Sequence, residues 1–385
     1  MLEWNRGGSL VPGAAECQGV VGSIGDAYAP GLQSSVVSAS PHALTRRAFI
    51  AAAAGSAAST LAACAGGSSK PGARRLRVMM NGGIYEEHAR RLVIGPFERD
   101  TGATVEVIPA SAAQAITRLM AERRAPSVDV VIIDQLVMGP AIDDGLFDTI
   151  DPPNVPTLAD LEPRALDPRG YGPMVHCHNL VLGYNTKLLA VEPPGGWADL
   201  WHPRFRGLVV PGAIELTPGM LFLLEANALN GGTYENLDPG FAALARLAPN
   251  VRRYYRNIGE VRPMVAGENV IVAISSNMLH VEIEQGSPVG MVFPAEGCLG
   301  SPAVAQVVRG SHDKALAERF IDYYLRPDAQ LGWARDYHVS VFNTKARVPE
   351  ALKAEIADRT VYFDAVAVSR HRADWVDRWM REVRS

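Results

Sequence analysis

The sequence predicts an α/β fold with mixed, mostly parallel sheets, spread over two domains. Three observations carry this reading. Short apolar runs of strand length alternate with helical segments of amphipathic spacing through most of the chain. The run at 128–133 is continuously apolar and ends in Asp134-Gln135, as expected of a strand buried on both faces. At 385 residues the chain is long enough to bury two cores.

In order, the strand at 76–80 runs into Asn81-Gly82-Gly83-Ile84-Tyr85 and a helix that Gly102 closes. The two glycines let a ligand approach the backbone closely; a plain strand-to-helix turn is the other reading. A strand at 104–108 and a helix at 112–122, with Ile116, Leu119 and Met120 inward, precede the 128–133 run. The strand from Pro173 to Asn185 carries His176 and His178 on one face and Cys177 on the other. Two imidazoles alone do not make a metal site, so His178 reads as a hydrogen-bonding group at a strand end or as a core histidine. A short helix anchored by Trp197 and Trp201 leads to a buried strand at 208–210 and a polar loop holding Glu215. That loop feeds a helix that Thr217 caps, Pro218 opens, and Met220, Leu221, Leu223 and Leu224 bury. Loops between a buried strand and a helix start are where small ligands bind in open α/β sheets. Further on come a helix from Pro239 capped by Asp238, a strand at 251–255 ending beside Arg256, and a helix at 260–266. A strand at 269–274 then closes on Ser275-Ser276-Asn277, which starts another helix. Strands at 289–293 and 304–308 flank a crossing segment that contains Ser301, and a helix at 315–325 follows. In the last helix, at 375–383, Trp375, Val376, Trp379 and Val383 share one face.

Composition excludes several classes. A formal net charge of −4 gives no basic footprint for nucleic acid. No internal run has the length and apolarity of a membrane span. The sequence has no Gly-x-Ser-x-Gly elbow, no phosphate-binding Gly-x-x-x-x-Gly-Lys loop and no His-Glu-x-x-His. Near the N-terminus, Arg46-Arg47 precedes an Ala-rich apolar segment ending in Leu61-Ala62-Ala63-Cys64. A twin-arginine pair before a short apolar region is an export address, and Leu-Ala-Ala-Cys resembles a lipobox, which implies cleavage before Cys64 and a lipid anchor on its sulfur. Residues 1–63 are thus read as leader and signal, and the Gly/Ser-rich stretch 64–75 as a flexible tether.

Several segments together resemble one family. They are Trp197-Ala198-Asp199-Leu200-Trp201 with Arg206-Gly207, Asp129 to Asp134 ahead of Gly145-Leu146-Phe147, Gly183-Tyr184-Asn185-Thr186-Lys187, and Phe320 to Gln330. In this order they resemble the type II solute-binding proteins of bacterial ABC transporters, in the polyamine- and iron-binding group, over roughly residues 75–385. The resemblance implies a two-lobe type II periplasmic-binding-protein fold with lobe one at 76–177 plus 303–341 and lobe two at 178–302 plus 342–385. It also implies a cleft that closes by a hinge on a small solute, ABC permease subunits as partner, a periplasmic location, a monomer, no cofactor, no metal and no catalysis. An exported hydrolase on the same fold is the rival class. Tyr254-Tyr255 resembles the tyrosine pair of iron binders, but it sits in a strand ahead of the loop and not after a helix. By the resemblance, Cys177 and Cys298 fall beside lobe-crossing segments, where a disulfide would restrict opening if their Cα atoms approach closely enough.

The site residues expected are Asn81, Gly82, Gly83 and Tyr85, then Asp134 and Gln135, then His178, from lobe one and the crossing strand. From the other side come Glu215, Thr217, Arg256, Ser275, Ser276, Asn277 and Ser301. Polyamine binders of the family hold ammonium groups with carboxylates and tryptophans. Here Gly82-Gly83, Ser275-Ser276 and Ser301-Pro302-Ala303 stand at those places. Small hydroxyl-bearing residues with a nearby guanidinium suit a carboxylate or phosphonate, so a small organic acid, amino acid or phosphonate is the expected solute. Asp134 and Glu215 keep a polyamine as the alternative.

Overall fold

The structure, a computed structural model, describes residues 74–357 and 359–383. Arg46, Arg47 and Cys64, with almost all of the tether, lie outside the described residues. Among the described residues no helix is long and apolar enough to cross a membrane.

Strand β1 (Arg75–Met80) leads through Gly83, whose φ of 64° is a left-handed value, into α1 (Ile84–Ala89), a π-helical turn at Arg90–Ile94, and α2 (Gly95–Thr101). Gly102, also left-handed, ends the helix as expected. After β2 (Thr104–Pro109), α3 (Ala112–Ala121) starts on a capping box between Ser111 and Gln114. It buries Ala115 and Leu119, whereas Met120 is 39% exposed. Met120 lies about 100° further round the helix than Leu119, past the edge of the covered face. Strand β3 (Val130–Asp134) buries all four of its apolar residues, and α4 (Met138–Asp143) and β4 (Phe147–Asp148) follow.

The chain then enters the long strand β5 (Met174–Asn185), and continues through β6 (Val209–Val210), α5 (Thr217–Leu229), α6 (Asp238–Leu247) and α7 (Val261–Gly267). Next are β7 (Ile271–Ser275), α8 (Ser276–Glu284), β8 (Val289–Val292) and the second long strand, β9 (Cys298–Val308). The remainder is α9 (Lys314–Leu325), α10 (Pro327–Tyr337), α11 (Glu350–Ala357), β10 (Thr360–Val361) and α12 (Ala365–Glu382). Val251 and Tyr255, expected within one strand, make only isolated bridges to Val209 and Gly212.

The strands hydrogen-bond in the order β2-β1-β3-β9-β5-β7-β6, with β4 and β10 also on β9 and β8 on β5. The ladders are parallel between β1 and β2, β1 and β3, β6 and β7, and β9 and β10, and antiparallel where β3, β4 and β5 pair with β9 and where β7 and β8 pair with β5. β5 and β9 hold the two halves together: residues 174–179 of β5 pair with β9, while residues 180–185 pair with β7 and β8. One half has its core around Phe97, Phe320, Tyr324 and Trp333, and the other around Trp197, Phe205, Phe222 and Trp379. α12 begins ten residues before the expected helix and buries Trp375 and Trp379 against the second core.

Candidate ligand-binding site between the lobes

Strand ends and helix starts from both halves meet where β5 and β9 cross. β3 ends at Asp134; α5 begins at Thr217; β7 gives way to α8 at Ser275-Ser276. The antiparallel register sets His178 opposite Ser301. Across the gap, the Thr217 hydroxyl donates to Asp134 Oδ2 at 2.9 Å. This use of the hydroxyl corrects one expectation: Thr217 is the first helical residue and caps nothing, since Leu216 takes the cap position with no side-chain hydrogen bond. Asp238 likewise lies inside α6, after Leu237, and does not cap it.

An aromatic group backs this junction. Tyr85 is 5% exposed and shares a 2.6 Å hydrogen bond with the Tyr324 hydroxyl. Its ring packs against His176, Trp333 and Tyr337 at centroid distances of 5.5, 5.1 and 5.6 Å. Burial raises the Tyr85 and Tyr337 phenols well above their usual range; the negative charge of Asp134 adds to both, and a side-chain hydrogen bond to Asn277 opposes it at Tyr337. Burial pushes His176 down to about 3, with His178 adding to the shift, so His176 is a neutral packing ring. Burial also lowers His178, with Asp134 pulling the other way. Four buried polar atoms here have no protein partner: Ser301 Oγ, Asn277 Oδ1, His176 Nδ1 and Trp333 Nε1. Buried polar groups are nearly always satisfied, so such atoms in a cleft wall are places for solute or water.

Of the expected residues, Tyr85, Asp134, His178, Thr217, Asn277 and Ser301 are thus linked to one another by hydrogen bonds, register or charge. Ser276 is buried and its hydroxyl accepts from the Asn179 N–H at 3.4 Å, while Ser275 pairs with Leu180. Gly82 packs closely enough that a Cβ would meet Pro109 at 3.0 Å; Gln135 is half-buried and Asn81 exposed. Glu215 and Arg256 are both exposed and face each other at 3.9 Å. Two neighbours of this group carry no signal in the sequence. Tyr337 ends a helix with no distinctive spacing, and Arg372 of α12 reaches back to donate to the Glu215 carbonyl at 3.0 Å.

Two further expectations meet the structure here. Tyr255 is buried beside Val210, Met264 and Val272 and donates to the Ala273 carbonyl at 2.8 Å, while Tyr254 stacks edge-on against Trp379 on the second core, so the pair serves packing. Cys177 and Cys298 are both free and buried, so the condition for a disulfide between them is not met. The β5–β9 register places Cys177 opposite Pro302. Cys298 therefore lies four residues along the ladder, roughly 13 Å at strand spacing and far outside disulfide reach.

The profile of the bacterial extracellular solute-binding proteins matches residues 125–367, more than half of the chain. The chain belongs to this family. This solute-binding protein is 28% identical over 269 residues to the gamma-aminobutyric acid-binding protein of Pseudomonas aeruginosa, covering 67% of its own length and 74% of the relative. Against the spermidine/putrescine-binding periplasmic protein of Escherichia coli it is 23% identical over 282 residues, 71% and 79% of the two chains. A solved ABC transporter structure from Clostridium perfringens superposes with a TM-score of 0.68 at 22% identity, covering 80% of this chain and 99% of that one. The two-lobe periplasmic-binding-protein fold and the solute-binding role at an ABC importer, both implied by the sequence, hold, and with them an exported location. The family consists of transport proteins.

Proposed function

We propose that this solute-binding protein captures a small zwitterionic amino compound, of the ω-amino acid class, and delivers it to an ABC permease. The observation that carries the reading is the Thr217–Asp134 bond between the lobes. It places a carboxylate, suited to an ammonium group, at the start of a helix. α5 and α8 both start in this junction without a side-chain cap. Their first-turn N–H groups and positive ends suit the carboxylate end of the same solute. The unpartnered Ser301 hydroxyl and Asn277 carbonyl supply further hydrogen bonds. The likeness to a protein named for gamma-aminobutyric acid agrees with this class.

A polyamine is the second reading, favoured by the spermidine/putrescine-binding relatives and by the survival of Asp134 and Glu215. A polyamine would need a carboxylate at each end of the cleft to offset the desolvation of each ammonium group. Calorimetry with both solute classes separates the readings.

We assign residues 76–177 plus 303–341 to lobe one and 178–302 plus 342–385 to lobe two, with closure about the β5 and β9 crossings and no turnover of the solute. Closure follows from the solute's greater affinity for the closed state. The contact set is Tyr85, Asp134, His178, Thr217, Asn277 and Ser301, with Asn81, Gly82, Gly83, Gln135, Glu215, Arg256, Ser275 and Ser276 at its rim. The protein acts as a monomer, exported through Arg46-Arg47 and anchored by a diacylated Cys64. Cys64→Ser should release it from membranes, and Arg46→Lys with Arg47→Lys should block export. Unchanged membrane fractionation of the Cys64 variant contradicts the anchor.

A further inference from the structure

Helix α8 leaves the cleft at Ser276 and Asn277, and one turn later it presents His280, which is 5% exposed. On the facing side α10 ends at Tyr337 and the chain turns through His338 with a φ of 52°, the single left-handed non-glycine among the described residues. The two imidazoles lie face to face, with centroids 4.0 Å apart and planes within 8°. Glu355 of α11 brings Oε1 to 3.3 Å from His280 Nδ1 and 3.7 Å from His338 Nδ1. One ligand atom from each of the three residues falls within 4.8 Å of the others. Behind His338, its Nε2 lies 2.8 Å from Glu284 Oε1.

The hydrogen-bond assignment exposes what is missing. A carboxylate only accepts, so Nε2 of a neutral His338 must carry the proton toward Glu284, which leaves a lone pair on Nδ1. That Nδ1 is buried and has no hydrogen-bond partner, and it faces the Glu355 carboxylate, another acceptor. His280 Nε2 is also buried without a partner. A buried nitrogen without a partner is unfavourable, and so is a left-handed residue bearing a Cβ. A cation among the three groups removes the conflict between the acceptors.

We infer that His280, His338 and Glu355 form a binding site for a divalent transition ion of the zinc class, with Glu284 orienting His338 from behind. The carboxylate contacts of 3.3 and 3.7 Å lie near the roughly 3.4 Å expected between donors on a tetrahedral ion with bonds near 2.1 Å; because an ion lies in the plane of each ligating ring, one imidazole turns out of the 4.0 Å stack to bind it. Two imidazoles and one carboxylate suit zinc, cobalt or nickel; calcium and magnesium take oxygen ligands. A carboxylate on the far nitrogen of a ligating histidine is the usual support of such sites. The ion would tie α8 to the turn after α10 and to α11. It would sit beside the Asn277–Tyr337 contact without touching the solute.

The test uses tag-free chain stripped with a chelator, titrated with Zn(II) by calorimetry and with Co(II) by visible absorption. The expected result is saturable binding of about one equivalent, a Co(II) spectrum of low-coordinate N/O type and a rise in Tm with zinc. His280→Ala and His338→Ala should lose all three signals. Glu355 is 47% exposed at its side chain, so Glu355→Gln keeps the fold and should weaken zinc at least about tenfold. No saturable binding by the wild type, which would leave a proton on His338 as the occupant, overturns the inference. So does zinc binding that survives in the His280→Ala/His338→Ala double variant.

Discussion

The Thr217 hydroxyl donates a 2.9 Å hydrogen bond to Asp134 Oδ2, and so joins the first residue of α5 in one half of the molecule to the last residue of β3 in the other. In the proposed function both groups meet the solute in the closed state, so losing either one should weaken that state more than it weakens the fold. Thr217→Val removes one hydrogen bond to a charged group, worth about 1.5 kcal/mol, and should weaken solute binding about tenfold. Asp134→Asn removes the counter-charge for an ammonium and should weaken binding by about 100-fold or more. Calorimetry measures the affinity, and thermal unfolding without solute should shift by only a few degrees. A Thr217→Val protein of unchanged affinity contradicts the placement of the site.

Glu225 gives a pH signature of folding. It lies on α5, is 7% exposed, and accepts the Leu299 N–H at 2.7 Å. Burial pushes its carboxyl up to about 8; the Leu299 hydrogen bond opposes this and Glu296 adds to it. Between 4.5 and about 8 the native state holds the proton that the unfolded chain releases, so this group makes stability fall as pH rises through that window. Glu225→Gln keeps the acceptor and removes the titration. It should flatten the stability profile and be more stable than the wild type at about pH 8, on the order of 1–3 kcal/mol. Denaturant titrations at several pH values measure this; parallel profiles for the two proteins would contradict it.

Cys177 and Cys298 should both react as free thiols once the mature protein is denatured without reductant, because the strand register separates them. If the mature chain begins at a lipidated Cys64, thiol titration should find two groups. Finding none means that the two are paired and the register is wrong.

Much of this fold was legible in the sequence because its signals are local. A continuous apolar run marked β3, Gly102 marked the end of α2, and Ser275-Ser276-Asn277 marked the step from β7 to α8. Local signals failed where a tertiary partner outbid them. Thr217 looks like a cap, but its hydroxyl is claimed by Asp134, 83 residues earlier. Met120 has the spacing of a core residue but stands past the covered edge of α3. The site was legible in part. Strand-end reasoning named Asp134, His178, Asn277 and Ser301 as candidates, and the fold brings them to one junction, because convergence at strand ends follows from topology. It missed Tyr337 and Arg372, and the His280–His338–Glu355 cluster, because those groups meet only through helix packing and carry no spacing pattern in the chain.

The most direct test of the central claim is calorimetric titration of the tag-free mature protein, first freed of carried-over solute by unfolding and refolding, with gamma-aminobutyric acid and related ω-amino acids beside putrescine and spermidine. The account predicts saturable binding of an ω-amino acid at micromolar concentration or tighter, lost in Asp134→Asn, with no comparable response to the polyamines. Micromolar binding of putrescine or spermidine, with no heat from the amino acids, would contradict it.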